Sequence, residues 1–344
     1  MQGHSISTGV DRGTWDAFVD VFPRATSYHR WAWREVIEKS FGHPTYYLAA
    51  LDASGRVGGV LPLVHMKSAL FGNFLVSVPF VNYGGLLCED KGARQALLAE
   101  AERLRLSCRA EHVELRHLDF EIAGLPARRH KVTMALRLAG AVQAQWDGFN
   151  AKLRNQVRKA EKNGLVCRTG HLDLLDDFYR VFARNMRDLG TPVYGKEFFR
   201  QVLAAHPDTA RIIAVAHQGK IIAAGIVIWY RGVMEMPWAS SIADFKSLCP
   251  NNLLYWEAIQ QAIDLGCDSF DFGRSTPNEG TFNFKKQWGA EPVQLYWQYL
   301  LPEGRALPEL NNKNPKYDLA IRVWQKLPLA LTRLAGPHIV RSIP

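Results

Sequence analysis

The chain carries one arrangement of elements twice, and a repeat of that size restricts the fold more than any single motif does. The stretch Tyr47–Gly55 runs into Arg56–Leu63 as strand, glycine turn and strand, and Arg211–Gly219 runs into Lys220–Val227 in the same way. An amphipathic helical stretch precedes each hairpin: Trp31–Lys39 before the first, Leu174–Asp188 and Glu197–Ala205 before the second. After the first hairpin the pattern predicts a strand over Val78–Gly84 ending in a glycine turn, a helix over Ala93–Ser107 and a strand over Val113–Arg116. After the second it predicts a strand over Met234–Ser241, a helix over Asn252–Leu265 and a strand over Ser269–Gly273. The succession recurs at a spacing of about 160 residues. The economical reading is two copies of an α/β (α+β) unit, each a mixed sheet flanked by helices, over 1–145 and 146–302, with a tail over 303–344.

Between the copies, Ala151–Lys162 reads as a helix stopped by Asn163-Gly164. From Lys152 to Arg168 there are six Lys/Arg and one acid, Glu161, the densest basic patch in the chain. Arg154 and Arg158 fall four apart on one helical face, where two guanidinium groups suit a phosphate clamp, with Asn155 and Lys159 beside them. A formal net charge of +9 favours anionic partners without choosing among them.

Composition excludes several classes. The apolar runs, such as Ile221–Tyr230, are shorter than the ~20 residues of a spanning helix. The opening residues lack a basic stretch followed by an apolar one, so no signal peptide is expected. The five cysteines are odd in number, widely spaced and without a CxxC, which fits neither a disulfide framework nor a zinc site and suits a reducing cytoplasm. The eleven histidines form no HExxH, so no metal is implied.

Three further groups carry candidate chemistry. Lys285 and Lys286 follow Thr281–Phe284 and precede Gln287-Trp288-Gly289, and a lysine beside an acyl carbonyl can stabilise an oxyanion or neutralise a phosphate. Asp271 and Arg274 close the strand Ser269–Gly273, where an Asp is placed to orient or deprotonate an amine. Glu114 and Arg116 hold a similar place in the first copy, so one of the two pairs can be structural. In Asn82-Tyr83-Gly84-Gly85 the paired glycines suit a tight turn after a strand, or the close approach of a ligand with Tyr83 beside it. In the tail, Tyr317–Lys326 reads as an amphipathic helix, and Arg322, Lys326, Arg333 and Arg341 lie near Trp324 and several leucines. Residues 317–344 thereby suit either packing on the core or peripheral contact with an anionic membrane.

The segment Lys152–Gly164 resembles the one that opens the second lobe of FemAB-type transferases. Leu75–Gly85, Val113–Arg116, Asn185–Pro192 and Phe284–Gly289 agree with it, so the resemblance covers about residues 20–343. The tail Gly336–Arg341 looks like the branch associated with the PEP-CTERM/exosortase system. The resemblance implies two tandem GNAT-like N-acyltransferase lobes. It implies transfer of an acyl or aminoacyl group, from acyl-CoA or aminoacyl-tRNA and with no tightly bound cofactor, to an amine acceptor of envelope or exopolysaccharide biosynthesis. The family motif Phe-Lys-x-x-(Phe/Trp)-Gly maps onto Phe284, Lys285, Trp288 and Gly289, which nominates Lys285 for catalysis and Phe284 for substrate contact. Where members that use UDP-linked muropeptides carry an Arg and a Tyr four apart, this chain has Tyr194 and Phe198, which points to a different envelope substrate. Asp244–Asn252 also lacks the glycine-rich pyrophosphate loop usual in GNAT enzymes, which weighs against acetyl-CoA. A CoA-dependent N-acyltransferase and a non-catalytic scaffold with decayed lobes are the rival readings.

Overall fold

The computed structural model describes residues 3–308 and 315–344, with side chains from 319 onward in the second stretch; Met1, Gln2 and part of the loop expected over 302–315 lie outside the described residues. The chain forms two compact units. The first takes the chain up to Lys131, returns at Gln294 and includes Ser342–Pro344, while the second takes Val132–Val293 and the C-terminal helices up to Arg341.

The first unit contains β1 (Ser5–Ser7), α1 (Arg12–Val21), α2 (Ala32–Phe41), β2 (Thr45–Leu51), β3 (Val57–Ser68), β4 (Gly72–Val76), β5 (Leu87–Cys88), α3 (Lys91–Ser107), β6 (Val113–Leu118) and β7 (Ala127–Arg128). The second contains β8 (Val132–Arg137), α4 (Val142–Gly148), α5 (Ala151–Lys162), β9 (Leu165–Gly170), α6 (Leu175–Leu189), α7 (Lys196–Ala205), β10 (Ala210–His217), β11 (Lys220–Tyr230), β12 (Val233–Ser241), α8 (Pro250–Asp264), β13 (Ser269–Ser275) and α9 (Gly280–Lys286). β14 (Glu291–Leu300) crosses from the second unit to the first, and α10 (Pro315–Lys326) and α11 (Leu329–Val340) close the second.

The repeat is real at the level of strand pairing. In the first unit β1, β2, β3 and β4 are successively antiparallel, β4 is parallel to β6, and β6 is antiparallel to β14. In the second, β9, β10, β11 and β12 are successively antiparallel, β12 is parallel to β13, and β13 is antiparallel to β8. The last strand is exchanged. β8 follows the first copy in sequence but completes the second sheet, whereas β14 follows the second copy and completes the first. This is why the compact units divide at Lys131/Val132 and not at the expected 145/146, and why β14 from Gln294 onward belongs with the first unit.

The expected strand over Val78–Gly84 is not formed. β4 ends at Val76, and Val78 (φ 48°) and Phe80 (φ 72°) take left-handed backbone, which cannot continue a pleat. The segment instead fills the place where β4 and β6 part. Their parallel register covers only Leu75↔Val113 and Val76↔Glu114. Beyond it the Ser77 N–H donates to Glu114 O at 2.9 Å, the Ser77 hydroxyl accepts from Arg116 N at 2.8 Å, and the Gly84 N–H donates to Arg116 O at 3.0 Å.

Helix boundaries follow local chemistry. Asn150 caps α5 by accepting from Leu153 N at 2.9 Å, Leu153, Val157 and Ala160 bury its apolar face, and Asn163-Gly164 stops it. α8 starts with Pro250 in its first turn, where a missing N–H costs nothing. Each unit has its own core: β-strand side chains with Leu97, Ala101 and Leu104 of α3 in the first, and Met234, Met236, Leu254, Ile259, Phe270 and Trp288 in the second.

At Gly85 a Cβ would overlap the His117 ring and come within 2.9 Å of Arg116 O. Gly85→Ala should therefore cost about 1–3 kcal/mol by overpacking, read as a lowered denaturant midpoint with unchanged m-value.

Candidate active site

The second unit holds a buried, charged cluster where its parallel strand pair ends. β12 and β13 pair from Val233↔Ser269 to Glu235↔Asp271, so two carboxylates lie side by side on adjacent strands, both buried. Immediately beyond, the β13–β8 register shifts between Asp271 and Arg274. A bulge of this kind re-aims backbone groups. Gly273 sits in it with φ 77°, a conformation that favours glycine. Its N–H donates to Asp271 Oδ1 at 2.7 Å, and Asp271 Oδ1 also accepts from the Thr133 hydroxyl.

α9 brings Lys285 into the same place. Lys285 Nζ donates to Gly273 O at 2.8 Å and to Arg274 O at 3.0 Å, and the residue is 7% exposed. An ammonium carries three donors, so one N–H remains beyond these two bonds. Burial pushes the Lys285 amine down to about 8, the charges of Asp271 and Glu235 oppose that fall, and Arg274 adds to it. The rest of the Phe284–Gly289 motif anchors the lysine. Phe284 packs on Tyr255 with centroids 5.4 Å apart, Trp288 is fully buried, and Gly289 (φ 83°) ends the turn. Lys286, next along, is exposed, as is Arg274.

The basic helix is tied to this turn. Asn150, the cap of α5, donates from Nδ2 to Gln287 O at 3.1 Å. Arg154 is half-buried and donates from Nη1 to Asp147 O at 3.1 Å, while Arg158 is exposed with its guanidinium 5.4 Å from the Trp146 ring centre. The two arginines share a face as expected, but Arg154 is engaged on α4, so the exposed cations of α5 are led by Arg158 and Lys159. At the start of α8, Cys249 (φ 58°) occupies the left-handed position that a glycine would take, and Asn252 donates from Nδ2 to Gln156 Oε1 at 3.2 Å on α5.

The remaining expected residues lie apart from this cluster. Tyr194 is half-buried against Phe198, with ring centres 5.2 Å apart, in the aromatic core between α6 and α7. Tyr83 belongs to the first unit, is 4% exposed and meets Tyr28 edge-on at 5.2 Å. Tyr83, Gly84 and Gly85 line a small cavity of the first unit together with His29, His117 and Phe120, away from the Lys285 cluster. The first-unit pair is likewise internal. Arg116 Nε donates to Glu114 Oε1 at 2.7 Å, Tyr299 donates to Glu114 Oε2 at 3.0 Å, and the Arg116 guanidinium lies 4.4 Å from the Trp297 ring centre.

Glu235 and Thr133 escaped the sequence reading. Glu235 had a visible signal, a single acid between Met234 and Met236 in an apolar strand, whereas Thr133 had none, because β8 looked like part of the first copy.

A family model described as an acetyltransferase (GNAT) domain matches residues 148–286. The UDP-N-acetylmuramoylpentapeptide-lysine N(6)-alanyltransferase of Weissella viridescens is 25% identical over 129 residues, 37% of this chain. Residues 148–286 are thus similar to a GNAT acetyltransferase domain, and part of the chain is similar to a Fem-type alanyltransferase. The stretch shared with the Weissella protein spans 38% of that protein's length. The solved structure of FemX superposes with a TM-score of 0.67 at 15% identity, covering 85% of this chain and 96% of FemX. L-PGS from Bacillus licheniformis gives a TM-score of 0.58 at 13% identity over 92% of this chain and 98% of L-PGS. A tandem GNAT protein from the clavulanic acid pathway gives 0.56 at 12% identity over 87% of this chain and 97% of that one. These likenesses establish a GNAT-like fold. The family match covers α5 to α9, and so includes Arg158, Asp271 and Lys285.

Because Asp271 helps hold the ammonium charged, Asp271→Asn should lower the Lys285 pKa further below 8, measured by NMR titration of isotope-labelled lysine side chains.

Proposed function

We propose that this chain transfers an acyl or aminoacyl group directly to an amine of a cell-envelope precursor, without a covalent enzyme intermediate. The observation that carries this reading is the buried Lys285 ammonium, fixed by Gly273 O and Arg274 O beside Asp271 where β12 and β13 part. The amine attacks the donor carbonyl, and the third N–H of Lys285 stabilises the oxyanion of the tetrahedral intermediate. In a site of low dielectric this interaction strengthens as charge develops. Asp271, fixed by Thr133 and the Gly273 N–H, takes the amine proton; collapse of the intermediate breaks the donor's ester C–O or thioester C–S bond, and that proton passes to the departing tRNA hydroxyl or CoA thiol. The exposed cations Arg158, Lys159, Lys286 and Arg274 hold phosphates of donor or acceptor. Arg154, through Asp147 O, keeps α4 and α5 together.

The acceptor class rests on the alanyltransferase and FemX likenesses, and an exopolysaccharide acceptor within a PEP-CTERM system rests on the tail motif alone. The donor is aminoacyl-tRNA or acyl-CoA. The test is thermal-shift titration of the full chain with aminoacyl-tRNA, uncharged tRNA and acyl-CoA. Stabilisation by one donor, weakened in Arg158→Ala, supports the reading, and no stabilisation by any of them overturns it.

With that donor, Lys285→Ala should lower kcat by about 10²–10³-fold while donor binding persists. The sign of the pH dependence follows from the same group. The protonated amine is the active form and its value in the folded chain is about 8, so the ratio of wild-type to Lys285→Ala kcat/KM, in which the acceptor amine's own titration cancels, should fall above pH 8. A ratio that rises through pH 8 would instead make Lys285 the base.

A further inference from the structure

The C-terminal helices take no part in the site described above, yet their surfaces are built with a definite polarity. α11 buries Thr332, Gly336 and Val340, spaced four apart on one face. Gly336 permits the docking, since a Cβ there would come within 2.9 Å of Val193 N and 3.0 Å of Val193 O, on the loop after α6. α10 turns Gln325 inward, donating from Nε2 to Asp188 O at 3.1 Å, and sets Ile321 against Gly190. Both helices thus spend one arc on α6 and the loop that follows it, and their other arcs point away from that element.

The outer arc of a surface helix is ordinarily polar. On α11 it carries Leu331 and Leu334, 50% and 70% exposed, with Ala330, Ala335 and His338. On α10 it carries Leu319 and Val323, 61% and 52% exposed, flanked in helical projection by Arg322 and Lys326. From Leu319 to Arg341 there are four Lys/Arg and no Asp or Glu. Apolar side chains held outward between cations complement an apolar phase bounded by negative charge. Each helix has 12 residues, and no helix of the described residues is long and apolar enough to cross a membrane, so contact of this kind is with a surface.

We infer that α10 and α11 dock on the surface of an anionic lipid bilayer, with Leu319, Val323, Leu331 and Leu334 at the acyl boundary and Arg322 and Lys326 against lipid phosphates. A second copy of the chain is the poorer occupant. A two-fold contact through this face would set its cations against their own images. The inference stands independently of the transferase reading.

Co-flotation of the full chain with phosphatidylcholine vesicles, with and without phosphatidylglycerol, tests it. Binding should require phosphatidylglycerol and weaken with salt. Two double variants, Leu331→Gln with Leu334→Gln and Arg322→Gln with Lys326→Gln, should each bind about tenfold less or weaker. The leucine variant should melt unchanged, because Leu331 and Leu334 are exposed. Absence of flotation, equal flotation on neutral vesicles, or equal flotation of wild type and both variants overturns the proposal. So does a concentration-dependent dimer abolished by the leucine variant, which assigns the face to a second copy.

Discussion

An ammonium group cut off from water must find its partners in the protein, and in the second unit that requirement organises the local chain. Lys285 finds two carbonyls only because β13 is bulged after Asp271. In a regular strand the carbonyls of Gly273 and Arg274 would point to opposite sides. The left-handed Gly273 resolves this and serves both charges at once, since its C=O accepts from Lys285 and its N–H donates to Asp271. The same glycine therefore couples acid and base. The carboxylates of Asp271 and Glu235 offset part of the desolvation that would otherwise discharge the amine. A lysine with a value near 8 is charged at neutral pH yet poorly hydrated, the condition under which one hydrogen bond to a developing oxyanion gains most.

The first unit shows what becomes of the same architecture without that requirement. Its parallel pair, β4 and β6, ends after two residues, as the second unit's pair ends after three. Its opening is bridged by the chain itself, through Ser77 and Gly84 on either side of the left-handed Val78 and Phe80. The charged pair at that strand is closed by internal partners: Glu114 is satisfied by Arg116 and Tyr299, and Arg116 is covered by Trp297. Two copies of a unit have thus diverged in a specific way. One presents an amine and two carboxylates at its strand split, and the other pairs its charges internally and leaves a small cavity lined by Gly84, Gly85 and His117.

What was legible in the sequence depended on whether the determining contacts were local. The hairpins, α3, α5, α6 and α8 were readable because caps, breakers and apolar spacing lie within each element, as with Asn150, Gly164 and Pro250. The strand assigned to Val78–Gly84 failed for the opposite reason. Its apolar composition suits a strand, but its conformation is set by bonds to Glu114 and Arg116, more than thirty residues away. Lys285 and Asp271 were legible as chemistry, and their neighbourhood was not. Nothing near Thr133 in sequence announces that its hydroxyl will meet Asp271, because β8 reaches β13 by exchange. Likewise Arg154 and Lys285 were separate motifs on paper, joined in the fold by the Asn150 amide.

That exchange has a consequence for what counts as a lobe. If each copy folded on its own strands, β8 would complete the first sheet and β14 the second. Each strand instead completes the sheet of the other copy, β14 beside β6 and β8 beside β13. A sheet edge left without its last strand exposes a row of unpaired backbone groups. Neither copy can close its sheet from its own stretch of sequence, so cutting between them removes a strand from each. The hydroxyl that fixes Asp271 rides on the exchanged β8. The buried cluster of the second copy therefore depends on a strand that the first copy's sequence leads into.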